Sequence, residues 1–139
     1  MTKNIFVNLP VKDLNRSMDF FKQLGYTFNM QFTDDTAACL VISDTIYAML
    51  LTEDKFKGFL PKGKHIADAS KTSQVLIALS AESKEEVNKI IDAAFRAGAT
   101  EARPDEDYGF MFLRTFTDLD GHIWEIFWMN PEHLQQSNQ

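Results

Sequence analysis

Apolar positions near the start of the chain change from strand spacing to helix spacing. Apolar residues dominate a short run over residues 4–10, which is typical of a β-strand. Asp13 then stands in an N-cap position, and Gly25 stands where a helix would end. Between them apolar residues recur at helical intervals: Leu14, Met18, Phe21 and Leu24.

Extended segments follow this helix and complete the first half of the chain. Asp34-Asp35 and Ser43-Asp44 supply turn chemistry between them. The three predicted strands are Tyr26 to Thr33, Ala37 to Ser43 and Ile46 to Thr52. The first half therefore has the order βαβββ.

The second half repeats this order with a different sequence. Ser73 to Ser80 alternates like a strand, and Ser83 with Glu86 forms a capping box. An apolar stripe then predicts a helix that ends at Gly98: Val87, Ile90, Ile91 and Ala94. A short strand near Thr100 and a hairpin-like pair follow: Gly109 to Thr117 and His122 to Met129. A polar tail, Gln135 to Gln139, is expected to fray.

The repeat predicts a single α+β domain over residues 1–139, built from two modules. Module one spans about 1–53 and module two about 73–131. The crossover over 54–72 carries five lysines and is either a solvated connection or a lid whose lysines meet an anionic ligand.

Composition and charge exclude several classes of partner. The chain has 14 basic and 20 acidic residues, a net charge of −6, so no basic surface for nucleic acid or an anionic membrane is expected. No apolar run reaches the ~20 residues that span a bilayer, and from the polar residues at the start of the sequence we expect no secretory signal. The lone Cys39 excludes an intrachain disulfide, so we expect a cytoplasmic location and a buried, unreactive thiol.

Two segments resemble the vicinal-oxygen-chelate superfamily, which includes glyoxalase I, extradiol dioxygenases, and fosfomycin and bleomycin resistance proteins. Residues 8–25, NLPVKDLNRSMDFFKQLG, resemble its opening, and residues 116–126, FTDLDGHIWEI, resemble its final hairpin. The resemblance implies two βαβββ modules whose sheets curl into one mixed, cup-shaped sheet with the active site inside.

The resemblance also implies where a divalent metal would bind. The family takes one ligand from the first strand and one from the last strand of each module. In this chain the first-strand positions fall on Phe6 and Leu76, and the last strand of module one offers Leu50, or Met49 in a shifted register. Only Glu125 in the final strand is a donor. We therefore expect no metal cofactor; if a metal is bound, Glu125 is a ligand.

Two alternatives stay open around Glu125. Asn8 and Gln74 are predicted to lie on the strand faces of Phe6 and Leu76 and, with Glu125, would form a weak site of oxygen ligands only. Glu125 itself is either a general base or ligand anchor, or a carboxylate that pairs with Arg114 or bonds within the sheet.

Other polar residues near the final hairpin are interpreted as structural. Asp118 and Asp120 are predicted to form a turn, because the spaced donors of a calcium loop are absent. His122 belongs to the same turn, and it and Trp124 alternate away from Glu125. His133 has no partner at ligand spacing.

The sequence thus predicts metal-independent binding of a small apolar or aromatic molecule in the cup. Glu125 is the candidate catalytic residue if the protein is an enzyme, either a glyoxalase-like lyase or a dioxygenase-like oxidoreductase with shifted metal ligands. A third hypothesis is an interaction module that binds no ligand. The resemblance to the superfamily also implies a homodimer. The predicted ligand-binding residues are Phe6, Asn8, Leu50, Gln74, Leu76, Tyr108, Phe112 and Glu125.

Overall fold

A computed structural model of the chain describes residues 1–132. The predictions for His133 and for the tail Gln135 to Gln139 lie outside this range. The chain divides into two compact units, with the boundary between Asp68 and Ala69. The crossover is therefore split between the units, and its last residues belong to the second.

The first unit contains one four-stranded mixed sheet. Its strand order is β1-β4-β3-β2, with β1 parallel to β4 and the other pairs antiparallel. The elements are β1 Ile5–Val11, α1 Leu14–Gln23, β2 Thr27–Asn29, a 3-10 helix Met30–Phe32, β3 Ala37–Val41, β4 Ile46–Thr52 and α2 Glu53–Gly58.

The second unit repeats this topology. Its strand order is β5-β8-β7-β6, again with one parallel pair, β5 with β8. The elements are β5 Leu76–Ser80, α3 Lys84–Arg96, β6 Glu106–Asp107, β7 Met111–Thr117 and β8 Ile123–Met129. The predicted α+β class with two βαβββ modules is confirmed.

Side-chain caps set the starts of the two long helices, as predicted. The Asp13 carboxylate accepts the backbone N–H of Arg16 at 3.1 Å. The Ser83 hydroxyl accepts the N–H of Glu86 at 3.1 Å, and the Glu86 carboxylate accepts the N–H of Glu82 at 2.8 Å. These bonds satisfy N–H groups that have no partner within a helix.

In the first unit, α1 packs on one face of the sheet and defines the core. Alternate residues of a strand point to opposite faces, so the buried side chains of β1 and β4 mark the helix-packed side. That side holds Leu9, Val11, Ala48 and Leu50 together with Phe20 and Phe21 of α1. We call the other side of each sheet its far face.

The second unit packs α3 on its sheet in the same way. Trp124, Ile126 and Phe116 are each 1% exposed and face the buried Val87 and Ile91 side of α3. By the register of β7 and β8, the far face carries Thr115, Thr117, Ile123 and Glu125.

Four local predictions differ from the structure. The short strand predicted near Thr100 is only an isolated bridge to Thr117, and β6 takes its place in the strand order. The extended stretch predicted from Tyr26 to Thr33 is only the short β2, because the Asn29 side chain accepts the N–H of Gln31 and starts a 3-10 turn. The crossover begins with a helix, α2, capped by the Thr52 hydroxyl. The strand predicted from Ser73 begins at Leu76.

None of the helices within residues 1–132 is both long enough and apolar enough to cross a bilayer.

Candidate ligand-binding site

The far face of the first sheet carries a stacked aromatic pair. Phe6 and Tyr47 are register partners, with ring centroids 4.6 Å apart and planes 10° from parallel. Asn8 and Met49 pair at the next far-face position. Phe6 is 49% exposed. This face therefore offers two rings, a thioether and one amide, and its two family ligand positions carry no carboxylate or imidazole.

Leu50 does not belong to this face, so the prediction that it lines the site is wrong. Its register partners are Leu9 and Ala38, both buried under α1, and Leu50 itself is 1% exposed. Met49 occupies the far-face position instead, as in the shifted register allowed by the sequence. A difference of one residue changes the side of the sheet, because successive strand residues alternate between faces.

On the far face of the second sheet, an apolar pair lies beside a carboxylate. Leu76 pairs with Ile123, and Ala78 pairs with Glu125, the next far-face position along β8. Leu76 is 56% exposed, whereas the Glu125 side chain is 14% exposed. The placement of Leu76 and Glu125 on one face agrees with the sequence analysis; their role in binding stays a prediction.

Phe112 lies on the other side of this sheet, which corrects its assignment to the site. The register places Thr115 opposite Glu125, so Phe112 falls on the side of α3. There its ring centroid is 5.8 Å from Nζ of Lys84, the first residue of α3. Its ring therefore interacts with the helix start.

Gln74 and Tyr108 both lie outside strands. Gln74 is exposed and precedes β5, so strand alternation does not fix its side. Tyr108 follows β6, is 58% exposed and stacks on Phe110 with centroids 6.2 Å apart. Neither residue is held against Glu125 by a strand register.

Glu125 is paired with an arginine that the sequence analysis did not single out. Nη2 of Arg103 lies 3.0 Å from Oε1 of Glu125, and Nη1 lies 2.8 Å from Oε1 of Glu106. The hydrogen bond to Glu125 is the main reason that the pKa of Arg103 is raised. Arg114, the partner considered from sequence, binds Asp92 on the other face.

Asp118 organises the turn before β8. Its carboxylate accepts the backbone N–H groups of Asp120 and His122 and the indole N–H of Trp124, at 2.9 to 3.0 Å. Asp118 is 8% exposed, and burial raises its pKa although the charge of His122 opposes the shift. Asp118 and Asp120 thus form a turn, as predicted.

A pocket of about 420 Å³ opens beside this turn. Its volume lies within the range of small-molecule sites. Thr117 and Ile123, which line it, are far-face positions, and Ile123 precedes Glu125 by two residues, roughly 7 Å along the strand. The full lining is Ala69, Ser70, Lys71, Thr72, Ser73, Thr117, Gly121 and Ile123. The pocket is thus lined by apolar groups, hydroxyls and one lysine.

One wall of the pocket, the 69–73 segment, is fixed by a close backbone contact. Gly121 has a φ of +92°, and a Cβ placed there would lie 2.6 Å from the carbonyl oxygen of Ala69. Only glycine meets both requirements without strain. The end of the crossover is therefore seated directly on the turn that precedes β8.

The residues at the ligand positions that the resemblance implies do not fit a divalent transition metal. Phe6, Met49 and Leu76 offer no oxygen or nitrogen side-chain donor, and Arg103 engages Glu125. Such ions require three or four donors. Within residues 1–132 no three His, Cys, Asp or Glu side chains are grouped so that they could hold a metal.

The N-terminal sequence and the fold are similar to those of known proteins. Residues 3–43 match the family of bleomycin resistance protein-like N-terminal domains. The match covers less than a third of the chain, and with the two βαβββ modules it agrees with the resemblance to the vicinal-oxygen-chelate superfamily.

Several solved structures share this fold over nearly their whole length. A hypothetical protein from S. aureus is 24% identical with a TM-score of 0.74, covering 91% of this chain and 94% of that one. A glyoxalase/bleomycin resistance protein/dioxygenase family enzyme from Burkholderia phytofirmans is 16% identical, with a TM-score of 0.75 and coverage of 89% and 96%. The fosfomycin resistance protein FosX from Mesorhizobium loti is 15% identical, with a TM-score of 0.68 and coverage of 97% and 98%. A search of curated proteins returned no match.

Proposed function

We propose that this protein binds a small apolar or aromatic molecule without a metal, in the pocket beside the turn that precedes β8. The observation that carries the proposal is the pocket of about 420 Å³ on the far face of the second sheet. Apolar contacts from Ile123 would hold the body of the ligand, with Leu76, the register partner of Ile123, beside the pocket. Hydroxyls of Thr72 and Thr117 would orient it, since few polar groups fix a ligand in a mainly apolar site.

The metal-dependent alternative requires a rearrangement of this face. A lyase or dioxygenase of the superfamily would need Glu125 as a ligand, and Glu125 would first have to leave Arg103. Charge-assisted hydrogen bonds of this length are among the stronger ones in proteins. Metal-free binding needs no such step, which favours it for this chain.

The proposal is tested with a neutral, environment-sensitive dye, N-phenylnaphthylamine, titrated into protein treated with a chelator. We expect saturable fluorescence at one dye per chain. Ile123→Asp replaces an apolar side chain of the pocket with a carboxylate and should weaken binding of the neutral dye by about tenfold or more, because the apolar contact is lost.

Ile46→Asp is the control: Ile46 is likewise the first residue of its strand, but it is 37% exposed, lies on the helix-packed side of the first sheet and does not line the pocket. It should bind the dye like the wild type. Equal losses in both variants, or no saturable binding by the chelated protein, would contradict the proposal.

A further inference from the structure

Arg103 lies between two carboxylates on the far face of the second sheet. Its two terminal nitrogens each donate to a different acid, Glu125 at 3.0 Å and Glu106 at 2.8 Å. The Arg103 side chain is 38% exposed, and that of Glu125 only 14%. The charge of Glu125, the less exposed acid, is thus compensated by the guanidinium of Arg103.

The backbone of Arg103 is held in place by a buried side chain. The N–H of Arg103 donates to the Thr115 hydroxyl at 3.0 Å, and that hydroxyl donates to the Arg103 carbonyl at 3.2 Å. Thr115 is fully buried and is the register partner of Glu125. The Arg103 backbone is therefore fixed to β7, the strand next to Glu125, and this places the guanidinium near that carboxylate.

This arrangement determines which charges the face can accept. One guanidinium and two carboxylates leave a net charge of −1, so the cluster does not attract an anion. A cation must displace Arg103 from two charge-assisted hydrogen bonds before it reaches Glu125. An uncharged molecule can lie on the neighbouring apolar surface of Leu76 and Ile123 without disturbing either bond.

We propose that Arg103 is the specificity-determining residue of this site: it acts as an internal counter-ion to Glu125 and excludes metal ions and organic cations. The ligand class rests on the proposed function. The exclusion of cations rests on the Arg103–Glu125–Glu106 contacts alone, so the two can be tested apart.

The test removes the guanidinium and asks whether a metal ion enters. Mn²⁺ alone is the probe, since it accepts carboxylate ligands, and the free ion is measured by electron paramagnetic resonance. Arg103→Gln should bind one Mn²⁺ with an affinity about tenfold or more above the wild type, because two neighbouring acids lose their counter-ion. In Arg103→Gln/Glu125→Gln this gain should disappear.

Arg114→Gln is the matched control. Arg114 also pairs with two acids, Asp92 and Asp105, but it lies on the side of the sheet packed by α3. It should leave the affinity of the Glu125 site for Mn²⁺ unchanged, as judged by the effect of adding Glu125→Gln.

Arg103→Lys keeps the charge but not the fork that reaches both acids, and should give an intermediate affinity. It also serves if Arg103→Gln does not fold, as judged by circular dichroism. The inference is overturned if the folded Arg103 variants bind Mn²⁺ no better than the wild type. It is also overturned if the gain survives Glu125→Gln, or if the wild type already binds one Mn²⁺ tightly. If the wild type shows no saturable dye binding, the proposed function is refuted instead.

Discussion

The two units share a strand order and a helix-packed core, and they differ on their far faces. The first sheet presents Phe6 stacked on Tyr47 with no charged group at the corresponding strand positions. The second presents Glu125, bound to Arg103, beside a pocket. The pattern that specifies the fold is thus the same in both units, whereas the chemistry is set by far-face residues that the fold does not constrain.

The sharpest way to test this division is to truncate side chains on both sides of each sheet. Leu50→Ala and Ile126→Ala remove side chains that are 1% exposed under α1 and α3, and each should lower the free energy of unfolding by about 2–5 kcal/mol. Leu76→Ala and Phe6→Ala, which remove half-exposed far-face side chains, should each cost about 1 kcal/mol or less, including any lost stacking.

Urea unfolding followed by circular dichroism measures all four variants. A far-face variant that costs as much as its helix-side counterpart would show that the far face is part of the folding core. The far-face residues would then stabilise the fold as well as being available to bind a ligand.

A second comparison concerns the seating of the 69–73 segment on its turn. Gly25→Ala and Gly121→Ala both force alanine into a positive φ, which costs about 1–2 kcal/mol. Only Gly121 also faces a backbone atom within 3 Å, so its variant should lose about 3 kcal/mol in total and bind the dye more weakly. Thermal unfolding and dye titration measure the two effects, and equal losses at both glycines would contradict the close contact.

The smallest expected effect is a pH dependence that arises from Asp118 in the second unit. Burial raises the pKa of Asp118 above its ordinary value of 3.8, so the native state retains a proton that the unfolded chain has already lost. The free energy of unfolding should therefore fall as pH rises from 3.8 to the native pKa, and this component should be flat above it.

Asp118→Asn removes the titrating group and should flatten that part of the profile, measured by urea unfolding at a series of pH values. An unchanged slope in the variant would mean that Asp118 does not titrate differently in the folded protein.

The fold was predictable because its signals are local. Asp13 and Ser83 mark helix starts through bonds to residues only three positions away, and apolar spacing marks the packed faces. Local signals also existed where prediction failed. Thr52 followed by Glu53 and Asp54 is an N-terminal helix signature, and it precedes α2 within the predicted crossover.

The candidate site was predictable only in part, because it depends on register and on distant residues. A shift of one residue separates Met49 from Leu50, and the same alternation moves Phe112 to the helix side. Arg103 lies 22 residues before Glu125 and outside any strand, so no spacing rule connects them. The 69–73 wall of the pocket had no signal beyond Gly121, whose need for close approach becomes visible only in three dimensions.

The central proposal is that Glu125 and the residues around it do not form a metal site. The most direct measurement is equilibrium dialysis of the chelator-treated wild type against Zn²⁺, Ni²⁺, Fe²⁺ and Mn²⁺, with the bound metal counted per chain. We predict no stoichiometric binding of any of the four ions, with saturable dye binding unchanged by their presence. Tight binding of one metal ion per chain that is lost in Glu125→Gln would contradict this proposal. It would support a metal-dependent enzyme with Glu125 as a ligand.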